Sequence, residues 1–226
     1  MEQRQEELLT LVIESYMATA EPVGSRFLVD IKGLDWSEAT VRNELRFLEE
    51  EGFLTHPHTS AGRVPTTKGY RYYVEKIDLE KLHLSRSEDT ALTKSFSGDY
   101  EPACKSLAKE LVNFSGESII MAFSADRIYY TGLSNLFSKP DFAEIQLVAN
   151  VSRVFDRCEE YLPRFYSRVD SQPHCYLGKD HPFGELFSCV ATRFGKDNES
   201  LVVLLGPERM DYRHNWSLVK KARELV

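Results

Sequence analysis

The chain has little of what a secreted, metal-bound or membrane-embedded protein needs. Its four cysteines, Cys104, Cys158, Cys175 and Cys189, include no CxxC pair. That excludes a disulfide framework and points to ordinary intracellular thiols. Only His174 stands beside one of them, whereas zinc asks for about four ligands, so no metal site is expected. The longest apolar runs, such as LVVLL at 201–205, fall far short of the ~20 residues of a membrane span. The opening MEQRQEELL is too polar for a signal peptide, so a cytoplasmic location without a membrane partner is expected. Ser188, Cys189 and His181 are neighbours without a nucleophile motif around them, and neither a catalytic residue nor a cofactor is expected. A basic balance is missing too, with 28 Lys and Arg against 35 Asp and Glu for a net charge of −7. This excludes a molecule basic all over but leaves room for a local basic patch.

What is present is a globular composition: 226 residues, 42% hydrophobic, 12% aromatic and 28% charged, enough for two modest domains. Leu8, Leu9, Val12, Ile13 and Tyr16 recur at helical spacing over 3–19, and Glu21 and Pro22 stop that helix. Gly24 and Ser25 open a short second helix with Phe27, Leu28 and Ile31, which Gly33 ends. Asp35 with Glu38 reads as a capping box for a third helix running to about Glu51. The following FLTHPHTSAGRVPTT holds short extended pieces around an SAG turn, where Pro57 and Pro65 forbid helix. Helical spacing returns from Lys68 to Ile77, so residues 1–77 read as a winged helix-turn-helix. Residues 78–100 are mixed polar and charged and are taken as a linker with a helical turn near Leu79, Leu82 and Leu84. In 101–226 a helix at 101–114 precedes strands at 118–123 and 127–131 and a long helix from Asp141 to about Phe155. Strands near 174–177, 188–194 and 201–205 and a terminal helix from about Arg213 complete an α+β domain.

On the third helix Val41, Leu45 and Leu48 share one face and are expected inside. The opposite face then carries Ala39, Asn43 and Arg46, flanked by Thr40 and Arg42, with Ser37 near the start. Asn pairs with adenine, Arg with guanine, and small apolar groups approach the thymine methyl. The alternative is a plain solvated face, favoured by Glu44, Glu49, Glu50 and Glu51, which repel phosphates. Residues 52–74 contain no Asp or Glu, yet hold Arg63, Lys68, Arg71, His56, His58, Thr59 and Ser60. Cations, hydroxyls and turn N–H groups are what phosphate contact requires. Gly62 is expected either to serve that contact or to supply a positive φ for its turn.

The stretch SEATVRNELRFLEEEGFLTHPHTSAGRVPTTKGYRYYV, with RQEELL and EPVGS before it, resembles the winged-helix domain of the bacterial heat-inducible transcription repressors, the HrcA family. GLSNLFSKPDF at 132–142 and GPERMDY at 206–212 resemble further pieces of the family pattern, in order. The resemblance implies a homodimeric repressor of chaperone genes that binds an inverted-repeat operator on double-stranded DNA. It also implies a GAF-like second domain and the chaperonin as a partner. By position it implies DNA contacts from Ser37, Thr40, Arg42, Asn43 and Arg46 on the helix and His58, Thr59, Ser60, Gly62 and Arg63 on the wing. Lys68, Tyr70 and Arg71 are implied phosphate contacts. Family members resemble this chain with roughly a hundred residues more. Between LAKELVNFSGES and IYYTGLSNL the early strands of the GAF-like fold and a dimerisation insert are expected to be missing, so the second domain is read as reduced. Its dimer surface is then expected on the helix at 141–155 or on the terminal helix. In GPERMDY, Arg209 and Asp211 are read as structural ties; in GLSNLFSKPDF, Asn135 is read as a turn residue and Asp141 as a helix cap. A competing reading is a winged helix used as a protein-interaction module without specific DNA binding.

Overall fold

The computed structural model describes residues 1–32, 34–57, 62–124, 127–142, 145–195 and 199–226; the side chains of 31, 32, 145–148 and 150 lie outside that description. The chain divides into two compact units, 1–77 and 78–226.

The first unit runs α1 (Gln3–Thr19), α2 (Ser25–Lys32), α3 (Glu38–Glu50), β1 (Leu54–Thr55), β2 (Val64–Pro65) and α4 (Thr67–Glu75). Leu8, Leu9, Val12 and Ile13 of α1 meet Leu28, Val41, Leu45, Leu48, Leu54, Tyr70 and Tyr73 in one core. Ala20 in the left-handed region ends α1, one residue before the Glu21 and Pro22 expected to stop it. The cap of α3 is Ser37, whose hydroxyl accepts from the Thr40 N–H at 3.1 Å; the expected Asp35–Glu38 box does not form. Glu38 instead accepts from the Ser25 hydroxyl and from Arg42. Antiparallel β1 and β2 pair Leu54 with Pro65 and Thr55 with Val64. Thr66 caps α4 and donates its hydroxyl to the Gly52 carbonyl at 2.7 Å, which fixes where the helix leaves the hairpin.

The second unit begins with a 3-10 turn at Leu79–Lys81 and α5 (Arg86–Ser95), so the segment read as linker carries a packed helix. Ser85 and Glu88 form a full capping box, and Leu92 is completely buried. There follow α6 (Tyr100–Ser115), β3 (Ser118–Ala122), β4 (Ile128–Thr131), α7 (Leu133–Ser138), α8 (Ile145–Asp156), α9 (Cys158–Tyr166), β5 (His174–Leu177), β6 (Phe187–Phe194), β7 (Ser200–Pro207) and α10 (Tyr212–Leu225). The strands form one antiparallel sheet in the order β4-β3-β7-β6-β5. In register, Ile120, Val203 and Ala191 form one row across the sheet, under Val151, Val154, Phe155, Leu162 and Phe165 of α8 and α9. The alternate row Ile119, Leu204 and Val190 faces the layer of α6 and α10. With both faces covered, β7 is buried along its whole length, which is why LVVLL reads as an unbroken apolar run. The architecture is α+β, and among the described residues no helix is long and apolar enough to cross a membrane.

The terminal helix α10 (Tyr212–Leu225) buries one face against the sheet. Tyr212, Asn215, Trp216, Leu218, Val219 and Ala222 of α10 are buried, and the Trp216 indole donates to the Pro173 carbonyl at 2.9 Å. Ser188, Cys189 and His181 form no nucleophile–base pair. The His181 Nε2–H donates to the Phe187 carbonyl and its Nδ1 accepts from the Phe183 N–H, so both ring nitrogens are engaged by backbone. Burial lowers the His181 pKa, in keeping with this neutral tautomer, and burial raises the Cys189 thiol well above its usual range.

Candidate nucleic-acid interface

Helix α3 separates its faces cleanly. Val41, Leu45 and Leu48 are at most 3% exposed, while Ser37, Ala39, Arg42, Asn43 and Arg46 are exposed and Thr40 is half-buried. Glu44, expected on the acidic side, is buried and takes Arg4 and the Gln5 amide of α1, tying the two helices. Of the others, Glu38 is held by Arg42 at 2.6 Å, Glu50 by Arg46 at 2.8 Å, and Glu49 by Arg63 at 2.9 Å and by His56, while Glu51 is exposed at the end of the helix. The acid cluster is therefore largely neutralised by cations of its own unit.

Gly62 and Arg63 lie on the loop side of β2, just before Val64, pinned to the joint between α1 and α2. The Val23 N–H donates to the Arg63 carbonyl and the Arg63 N–H to the Val23 carbonyl, both at 2.8 Å. Gly62 has no left-handed backbone; what it lacks room for is a Cβ, which would lie 2.5 Å from the Val23 carbonyl carbon. The sequence reading in terms of a positive φ is corrected accordingly. Arg63 also differs from expectation. Its side chain is only 17% exposed and held by Glu49, so it braces the hairpin to α3 rather than standing free for a phosphate. Tyr70 belongs to the core at 2% exposure, because α4 turns that ring toward α1; it is no surface contact. Lys68 is exposed, donates to the Glu51 carbonyl at 2.6 Å and covers the Phe53 ring at 4.2 Å. Arg71 is half-buried. His58, Thr59 and Ser60 lie outside the described residues. Arg26, unmarked by any sequence pattern, and Ser25, expected only to open the helix, stand at the start of α2. Arg26 is well exposed, and the Ser25 hydroxyl reaches Glu38 at 3.2 Å, which places the first turn of α2 beside that of α3.

In the second unit the two downstream motifs meet. Arg209 grips Asp141 with Nε at 2.8 and 2.9 Å and with a terminal nitrogen at 2.6 Å. Asp141 sits in a 3-10 turn at Pro140–Phe142, so its carboxylate serves this pair rather than capping a helix, and Asn135 lies within α7 rather than in a turn. Asp211 caps α10 by accepting from the His214 N–H at 3.0 Å. Lys139 reaches the buried Glu117 at 2.6 Å, and a Cβ on Gly206 would overlap the Glu117 carboxylate. Burial raises the Glu117 pKa to about 7 against the opposing pull of Lys139 and Arg209. These charges tie the start of β3, the turn after α7 and the end of β7 together.

A family model described as the HrcA protein C terminal domain matches residues 76–215. Proteins named heat-inducible transcription repressor HrcA are similar over parts of the chain. That of Nocardioides is 48% identical over 97 residues, 43% of this chain and 28% of that protein. That of Chlorobium limicola is 39% identical over 147 residues, 64% of this chain and 39% of that protein. That of Pelotomaculum thermopropionicum is 32% identical over 166 residues, 71% of this chain and 47% of that protein. The chain thus spans less than half the length of these curated relatives. A solved structure described as a hypothetical protein shares the fold, with a TM-score of 0.83 at 16% identity over 99% of this chain and 97% of that one. By the match of its residues 76–215, this chain belongs to the HrcA family.

Proposed function

We propose that this chain is a sequence-specific DNA-binding transcriptional repressor of heat-shock genes that acts as a homodimer on an inverted-repeat operator. In this reading the first unit is a winged helix-turn-helix, with α2 and α3 as the helix pair and β1 and β2 as the wing. The second is a reduced GAF-like regulatory and dimerisation domain. The observation that carries it is the outward face of α3, where Asn43, Arg46 and Arg42 project from a helix whose other face is fully buried. The relatives' name supports the same reading. Ser37, Thr40, Arg42, Asn43 and Arg46 reach for base edges and adjoining phosphates, with Lys68, Arg71, His58, Thr59 and Ser60 on the flanking backbone. Arg42 and Arg46 hold glutamates only in exposed i,i+4 pairs, worth about 0–1 kcal/mol, so exchanging them for phosphates costs little. The chaperonin as a second partner follows from the resemblance alone.

Fluorescence anisotropy of an inverted-repeat chaperone-operator duplex against a scrambled one, at two salt concentrations, tests this. The operator should bind more tightly, with log K falling by about 0.9 per neutralised phosphate for each decade of salt. Asn43→Ala should relax base preference at one position in each half-site by roughly 1–3 kcal/mol. An equal loss on operator and scrambled duplex would remove Asn43 from base reading. Binding to neither duplex would favour a protein-interaction module.

A further inference from the structure

Among the 13 phenylalanines, Phe47 is the one left exposed, at 38%. At about 100° per residue it lies about 100° or more from Val41, Leu45 and Leu48 and within about 40° of Asn43, one turn earlier, and of Thr40, on the flank of the outward side whose middle carries Ala39 and Arg46. That side therefore combines hydrogen-bonding groups at Asn43 and Arg46, a small methyl at Ala39 and one large apolar ring. A phosphate offers such a ring nothing. The major groove does present an apolar group, the C5 methyl that marks thymine.

Resting on the DNA-reading role proposed above, we infer that Phe47 is a specificity-determining residue that packs on a thymine methyl in each half-site, beside the base met by Asn43. Exposure of the ring is then the cost of a site completed only by DNA. Because the ring contributes no charge, its loss changes base preference and leaves the salt dependence of binding alone.

The test uses the full chain and a pool of inverted-repeat duplexes with randomised half-sites. The duplex enriched by the wild type is remade with each thymidine replaced in turn by deoxyuridine, which removes the methyl and keeps every pairing edge. One position should lose about fourfold in affinity when replaced in one half-site and about fifteenfold when replaced in both, the effect of one and two buried methyl groups. Phe47→Ala should be insensitive to the methyl at that position while retaining the wild-type profile elsewhere, and Phe47→Leu should retain part of the sensitivity. Since the ring is 38% exposed and no member of the buried core, both variants should lose little stability and remain folded at the assay temperature, which melting curves check. A Phe47→Ala profile that matches the wild type at every thymidine overturns the assignment while leaving the repressor reading intact. A pool from which no duplex is enriched overturns that reading, and this inference with it.

Discussion

Gly62→Ala should cost the first unit about 3–5 kcal/mol of stability and, with it, operator binding. The added Cβ would lie 2.5 Å from the Val23 carbonyl carbon, 2.6 Å from its oxygen and 2.8 Å from the Gly24 nitrogen. All three are backbone atoms, so no side chain can swing aside, and the segment leading into β2 must part from the α1–α2 joint. Overpacking of this kind costs about 1–3 kcal/mol, and two broken backbone hydrogen bonds add about 1 kcal/mol each. Against a total of about 5–15 kcal/mol that is a large share. Val23, buried at 3%, would also be uncovered, and Arg63 would lose its alignment with Glu49. Gly24→Ala is the control, because a Cβ there meets nothing within 4 Å; it should change stability by less than about 1 kcal/mol. Urea denaturation of both variants decides the matter: equal, small losses would mean that the close approach at Gly62 is not what holds the hairpin.

Gly62 also shows which parts of this protein were legible in its sequence. Periodicity alone located α1 to its end residues and sorted the faces of α3, since a helix buried on one side must repeat its apolar residues at that spacing. Contacts distant in sequence were not legible. The pairing of Val23 with Arg63 spans 40 positions and involves only backbone, so no residue pattern announces it, and the glycine it requires looks like any turn glycine. For the same reason Arg63 looks like a free cation in the sequence, because nothing local reveals that Glu49 and the Val23 backbone converge on it. Other differences left a signal that was passed over. The segment SRSE at 85–88 is a capping box, and it opens α5 inside what composition suggested was linker. Cys158, Leu162 and Phe165 have helical spacing in α9, and the chain accommodates Pro163 within that element. In the candidate interface, helix identity and outward residues were readable; which cations were already spoken for by glutamates was not.

Glu117→Gln should make the second unit's stability less dependent on pH, in a direction fixed by burial. The Glu117 side chain is 3% exposed beside Lys139, and desolvation outweighs the attraction of Lys139 and Arg209, so its pKa rises from 4.5 to about 7. The folded chain therefore holds this proton more tightly than the unfolded chain. Its contribution is fully present below about pH 4.5 and is lost as pH rises through 7, at up to about 1.4 kcal/mol per pH unit. Glutamine imitates the protonated acid at every pH and keeps an acceptor for Lys139. Between pH 4.5 and pH 8 the stability difference should consequently move by about 3 kcal/mol in favour of the variant. Other titrating groups, including the neutral His181, are common to both chains and cancel in that difference. Denaturation curves of both proteins at the two pH values provide the measurement. A gap that stays constant would mean that Glu117 is ionised at both pH values within its pair with Lys139. A gap that moves toward the variant would mean that the ties joining the start of β3, the turn after α7 and the end of β7 are tightest when this carboxyl is protonated.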